Sequence, residues 1–281
     1  MEASVANPNH VPGKTGLLPR DTDKAMLVVE HYVAAGGLTA VTPAIDVDRA
    51  TKVSDWPMYC NGPDPENETA CPGSPDGCGD CFWAACGHEI TAFTAYAGAA
   101  PVVVPATSVI RGYSSTGYSP QTGANDNGTE PTQGLAFMRS TGLLDSAGHA
   151  HKYEAYAAFG DPTDEELLAQ VLNTFGTVLL AVELDQAQED QFGNGQPWTY
   201  VAGSQDLGGH MICLQRRAPA SQLDIYKPVT WGALWEANRA FIHNQVIDAY
   251  AVVSADWIAA NGTTIEGLDL QQLLADMPEV G

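Results

Sequence analysis

The chain has 281 residues, enough to bury a sizeable core as one large domain or as one domain with appendages. With 44% hydrophobic and 16% charged residues it is globular in composition, and no apolar run reaches the roughly 18–20 residues that span a bilayer. Twelve Lys and Arg stand against 34 Asp and Glu, a formal charge of −22 whose field repels phosphate backbones and anionic lipid surfaces, so neither nucleic acid nor a membrane is an expected partner.

Met1 to Pro8 has neither a basic n-region nor an apolar h-region, which predicts no secretory signal and a cytoplasmic or virion setting. Residues 1–22 are rich in Pro, Gly and Asn and read as an extended arm. Asp23 to Ala35 has helix-like apolar spacing that stops at Gly36-Gly37. Residues 55–80 form a Gly/Pro/Asp-rich loop without periodicity. From Cys81 to about Ala97 the sequence reads as a helix apolar nearly all round, as befits a central one. A glycine-bearing loop over 111–131 precedes a helix from Gln133 to Thr141. Asp164 to Phe175 is amphipathic, with acids in its first turn and Gly176 after its end. Strand-like runs follow at Thr177–Val182, Trp198–Val201, His210–Leu214 and Ala249–Ser254. Helices early and strands late predict an α+β fold. The expected division is an arm and helix over 1–54, a core domain over 55–255 and a tail over 256–281.

The chemistry centres on Gly77-Cys78-Gly79-Asp80-Cys81-Phe82-Trp83. A thiol that opens a helix lies near free backbone N–H groups and the positive dipole end, both of which favour the thiolate. Its partner base is usually distant in sequence. His210 lies 129 residues on (210 − 81), after Gly208-Gly209 and at the head of the apolar run Met211 to Leu214.

These residues resemble the papain family, whose signature is Cys-Gly-[Ser/Ala]-Cys-[Trp/Tyr] with a histidine about 130–150 residues downstream. Further blocks recur in family order over about residues 78–255. They are Ala124 to Gly128 with the helix after it, the helix 164–175 with Gly176 to Val182, Gly209 to Ile212, and Val229-Thr230-Trp231-Gly232. The Gly-Asp-Cys-x-x-Ala-Ala fragment also resembles papain-like proteins of bacteriophages and actinobacteria. The resemblance implies a central helix carrying Cys81, packed against an antiparallel sheet or barrel half. It implies Cys81 as nucleophile, His210 as base, a peptide or protein substrate and no cofactor.

Two positions depart from the pattern. The family's oxyanion-hole Gln would fall at Pro75; if 62–77 is an insertion, Asn61 supplies the amide donor, its alternative role being to cap a turn. The family's imidazole-orienting Asn falls at Val229, which offers no hydrogen bond, and Thr230, Asp206 and Asp224 are candidate substitutes. Two readings therefore stand: a cysteine hydrolase of peptide or isopeptide bonds, or an inactive papain-like scaffold serving in a virion with other virion proteins as partners.

Of the other cysteines, Cys86 reads as core or a disulfide partner and Cys213 as strand core. For Cys60, Cys71 and Cys78 a loop disulfide is expected ahead of free thiols and of zinc, since Cys60 and Cys71 lie too far apart to form a ligand couple. His88 reads as structural, and His149, His151 and His243 as surface. Trp198, Tyr200, Trp231 and Trp235 are expected to pack around the histidine strand.

Overall fold

The structure, a computed structural model, describes residues 11–32, 47–48, 53–96, 100–217, 225–256 and 275. The helices are α1 (Asn67–Ala70), α2 (Cys81–Tyr96), α3 (Ala106–Ser114), α4 (Pro131–Ser140), α5 (Glu165–Phe175), α6 (Gln186–Gly193) and α7 (Arg239–Gln245). The strands are β1 (Val47–Asp48), β2 (Leu143–Leu144), β3 (Ala150–His151), β4 (Tyr153–Ala158), β5 (Val178–Asp185), β6 (Asp206–Arg217), β7 (Ile225–Thr230), β8 (Ala233–Leu234), β9 (Ala237–Asn238) and β10 (Val246–Ser254). The main sheet runs β4-β10-β5-β6-β7-β8, antiparallel throughout, with β1 on β6 and β9 on β7. It stays open between β4 and β8, so the expected α+β layout holds with a sheet and no closed barrel. No helix among the described residues is long and apolar enough to cross a membrane.

Helix α2 is the spine of the helical half. Every residue from Cys81 to Ala95 is buried, as its all-round apolar sequence demands. Large residues on it are received by glycines on neighbouring helices. A Cβ on Gly112 of α3 would come within 2.4 Å of the Trp83 ring, and one on Gly134 of α4 within 2.3 Å of Phe82. Trp83 turns its indole N–H to Thr129 Oγ1 at 2.9 Å, so its one polar atom is satisfied inside the core.

The two amphipathic helices downstream form where their caps place them. Glu130 accepts from the amides of Thr132 and Gln133 ahead of α4, with Pro131 in its first turn. Asp164 does the same for Glu166 and Leu167 ahead of α5. The predicted strand at 177–182 extends to Asp185 and that at 210–214 spans 206–217, because pairing with neighbours carries both past their apolar cores.

Three expectations are corrected. The helix over 23–35 is absent from its described part, where the one helical piece is a 3-10 turn at Val29–His31. The Leu27 carbonyl accepts from the Ala158 amide at 2.7 Å and Val28 bridges Ala158, so the edge of the sheet draws this segment out straight. Trp198–Val201 is no strand: it makes only a bridge from Trp198 to Ala237, and Tyr200 points to solvent at 39% exposure. His151 is buried, held between Asp256 at 2.8 Å and Asp145 at 3.7 Å, and hydrogen bonding to Asp256 raises its pKa against burial.

One buried carboxyl sits at the junction of α2 with the sheet. Glu89 is fully buried, accepts from Tyr153 through its hydroxyl and from Thr177 Oγ1 at 2.6 Å, and burial pushes it up to about 7. Below about pH 4.5 the group is protonated in folded and unfolded chains alike. As pH rises toward 7 the unfolded chain releases its proton first, so stability is lost across that interval, by on the order of 3 kcal/mol. Glu89→Gln should therefore gain stability relative to the parent between pH 5 and pH 8, measured as the difference in urea unfolding free energy; a constant difference across that range would refute the assignment.

Candidate active site

The cleft lies where the start of α2 meets β6. Cys81 and His210 are each 1% exposed. Burial pushes the Cys81 thiol up to about 12, outweighing the nearby backbone of Met211, the residue after His210, of Phe82 on its own helix and of Gly16 of the arm, all of which favour the thiolate. Burial also pushes His210 down to about 3, with His88 adding to the effect. Each group as it stands is thus neutral, a thiol and an imidazole, and neither ring nitrogen of His210 is hydrogen-bonded to Cys81.

His210 is held at its far nitrogen. Nε2 lies 2.8 Å from Thr230 Oγ1, while Nδ1 is buried with no protein partner. Of the three candidate substitutes for the missing Asn, the structure brings Thr230 to the ring. Val229 instead packs apolar against Trp56 and Ala92. Asp206 caps a local turn through the Gly208 amide, and Asp224 lies outside the described residues. Thr230 is delivered by a two-residue hairpin. Trp231 and Gly232 both have positive φ, at 45° and 69°, and Thr230 pairs with Ala233 across the turn. The same turn sets the Trp231 ring 5.1 Å from the imidazole, backed by Trp198 and Phe192. Trp235 packs on Phe192, so three of the four expected aromatics do surround the histidine strand.

Asn61 follows two residues in left-handed backbone, Tyr59 at φ 57° and Cys60 at φ 70°. That turn aims its amide across the loop mouth, where Nδ2 donates to Cys78 O at 3.1 Å and to Lys14 O at 3.0 Å. Asp80, between Cys78 and Cys81, is wholly buried, and burial raises its pKa well above the usual carboxylate range.

The third wall of the site went unread in the sequence. The arm does not hang free but runs through the cleft. Gly16 and Leu17 donate their amides to Gly209 O at 3.0 and 2.9 Å, and Thr129 N donates to Gly16 O at 2.8 Å. Leu18 N returns a bond to Thr129 O at 3.0 Å, and Lys14 N donates to Asn61 O at 2.7 Å. Outside the cleft, Arg20 pairs with Asp248 at 3.2 Å and Lys24 with Glu130 at 3.1 Å. The signal that could have been used is the pair of glycines, Gly13 and Gly16, in a segment otherwise free to be anything.

The remaining cysteines are all free thiols and all buried, against the expected loop disulfide. Cys71 Sγ donates to Ser74 O at 3.8 Å, and the mutual influence of the three thiols lowers the pKa of Cys71 and raises those of Cys60 and Cys78. Among the described residues no group of three or more His, Cys, Asp or Glu is arranged to hold a metal ion. His88 is structural, as expected, with Nε2 2.8 Å from Pro57 O and its ring against Trp56 and Tyr59.

Solved structures with a similar fold include cysteine proteases. Xylellain, a cysteine protease from Xylella fastidiosa, superposes with a TM-score of 0.58 at 11% identity, over 86% of this chain and 97% of that one. The proCathepsin B S9 of Trypanosoma congolense gives 0.55 at 11% identity, over 87% of each chain. A structure from work on the mite allergens Blo t 1 and Der p 1 gives 0.52 at 12%, over 80% of this chain and 76% of that one. No protein-family model and no curated protein matches the sequence. The chain has the papain-like fold, a likeness carried by backbone and not by sequence.

Thr230 is the residue that fixes the imidazole. Thr230→Val leaves Nε2 buried without a partner and should cost about 1–3 kcal/mol in urea unfolding, with Thr230→Ser recovering most of it. The 15N shifts of the His210 ring should move in the Val variant and return in the Ser variant. An unchanged ring signal in Thr230→Val would remove Thr230 from the site.

Proposed function

We propose that the chain is a papain-like thiol hydrolase of peptide or isopeptide bonds, held latent by its own N-terminal arm. The observation that carries the reading is the junction of Cys81 with β6. The helix that Cys81 opens packs against the strand that carries His210, whose Nε2 is already anchored on Thr230. In that arrangement His210 Nδ1 takes the Cys81 proton and the sulfur attacks the carbonyl carbon. The tetrahedral oxygen is held by the Cys81 N–H and Asn61 Nδ2. His210 then returns the proton to the leaving nitrogen as the C–N bond breaks, and water hydrolyses the thioester that remains.

In this reading the arm keeps the resting groups dry. Its Gly16 lies against Gly79 just ahead of α2 and bonds Gly209 of β6, and the Lys14 carbonyl takes one Asn61 amide proton. With the arm withdrawn, that proton is free for an oxyanion. Water can then reach both members of the pair, which removes the desolvation that drives their pKa values apart. Peptidic substrates suit the site because the arm is itself a peptide bound there through backbone hydrogen bonds. The inactive-scaffold alternative predicts an inert Cys81 whether or not the arm is in place.

Leu17 is 6% exposed and lies at the centre of the arm's grip, so Leu17→Asp should expel it. Iodoacetamide labelling of Cys81, followed by mass spectrometry at pH 7, should then rise about 100-fold over the parent. Hydrolysis of a mixed peptide pool should appear, and both signals should fall in Leu17→Asp combined with His210→Ala. Labelling at the rate of an ordinary exposed thiol, with hydrolysis absent or unaffected by Cys81→Ala, would decide for the scaffold.

A further inference from the structure

The cleft is walled by backbone with no side chain to spare. Gly79, Gly128 and Gly209 face the arm from three sides. A Cβ on Gly128 would stand 2.2 Å from the Gly16 carbonyl oxygen, and one on Gly209 2.4 Å from the Leu17 carbonyl oxygen. The arm meets these walls with glycines of its own. A Cβ on Gly16 would lie 2.1 Å from the Gly79 carbonyl oxygen, and one on Gly13 2.2 Å from the Asn61 carbonyl oxygen and 2.3 Å from Trp231 Cδ1. Neither Gly13 nor Gly16 has a positive φ, so what demands glycine there is space and not backbone conformation. Between them the contacts are loose: Thr15 Oγ1 donates to Leu207 O at 3.0 Å, and Lys14 stands half-exposed 3.7 Å from Asp126.

We infer that the cleft is a slot for extended peptides carrying glycine at two positions three residues apart, of which Gly13-Lys14-Thr15-Gly16 is the built-in example. As a statement about cleavage this rests on the hydrolase reading; as a statement about binding it does not. The wall facing Gly16 and Leu17 is backbone, and that facing Gly13 is the Asn61 carbonyl together with the Trp231 ring. A ligand with a Cβ at the Gly16 position must push back the Gly79 loop, which also carries Cys81, so the slot discriminates at the place where the sulfur waits.

The test uses the full chain with Leu17→Asp, and a synthetic peptide of residues 11–20 added in trans. Protection of Cys81 from iodoacetamide reads binding without any turnover. The parent peptide should protect. Peptides with Gly16→Ala or Gly13→Ala should need about tenfold or more higher concentration, the cost of forcing a methyl group into a filled space. A Lys14→Ala peptide should stay within about threefold, because a half-exposed ion pair adds little. As a second route, Gly16→Ala in the otherwise native chain should speed Cys81 labelling about tenfold, and Lys14→Ala should not. Equal protection by the alanine peptides, or none by any peptide, overturns the slot. Glycine-dependent protection without hydrolysis keeps the slot and sinks the hydrolase; hydrolysis indifferent to glycine does the reverse.

Discussion

A cysteine at the first position of a fully buried helix is an electrostatic problem before it is a catalytic device. The dipole and the free amides at the helix start favour a thiolate, while burial forbids one unless a positive partner or water is near. In this chain burial prevails and the thiol stays neutral. The strand β6 sets the Met211 backbone near the sulfur and carries His210, whose Nδ1 is left without a partner. The sheet holds β6 from both sides, with β5 in register through Val182 and His210, and β7 in register through Cys213 and Val229. The tight turn after β7 then returns a hydroxyl to the ring from behind.

The arm adds the second half of the balance. It makes backbone bonds to β6 through Gly209 and to the glycine loop through Thr129, so it joins the two walls of the cleft as an added strand would. While it lies there the sulfur and imidazole are dry, and each takes the protonation state that costs least in a low dielectric. Burial at this point holds the thiol well above physiological pH. Arg20 on Asp248 and Lys24 on Glu130 fasten the far end of the arm to an acidic surface, a use for the chain's excess of carboxylates that goes beyond solubility.

What the sequence made legible were features written in one stretch of chain. The α2 helix, its opening cysteine, the histidine at the head of an apolar strand and the capped α5 helix each carry their own local pattern. Asn61 was legible as a candidate amide donor across the loop or as a turn cap, while its aim depends on two left-handed residues that no composition rule marks. Thr230 was one of three candidates, since a hairpin's handedness and not its residue types decides which side chain meets the ring. The misread helix at 23–35 shows the converse. Apolar spacing described a face to be buried, and the sheet edge claimed its backbone first. His151 failed as a surface histidine because its two carboxylate partners lie far off in sequence or around a turn.

The glycines carry the longest-range dependence of all. Read along the chain, Gly13 and Gly16 belong to a featureless arm, Gly79 to a cysteine motif, Gly128 to a loop and Gly209 to a strand. Read in space, they occupy one slot in which an added Cβ on either partner would meet backbone at 2.1–3.1 Å. Glycine on the walls alone would leave room for a side chain on the occupant, and glycine on the occupant alone would leave a void. Finding it on both sides means that backbone approaches backbone, which is what a run of strand-like hydrogen bonds across a narrow cleft requires. The arm and the backbone it lies against therefore constrain each other's sequence.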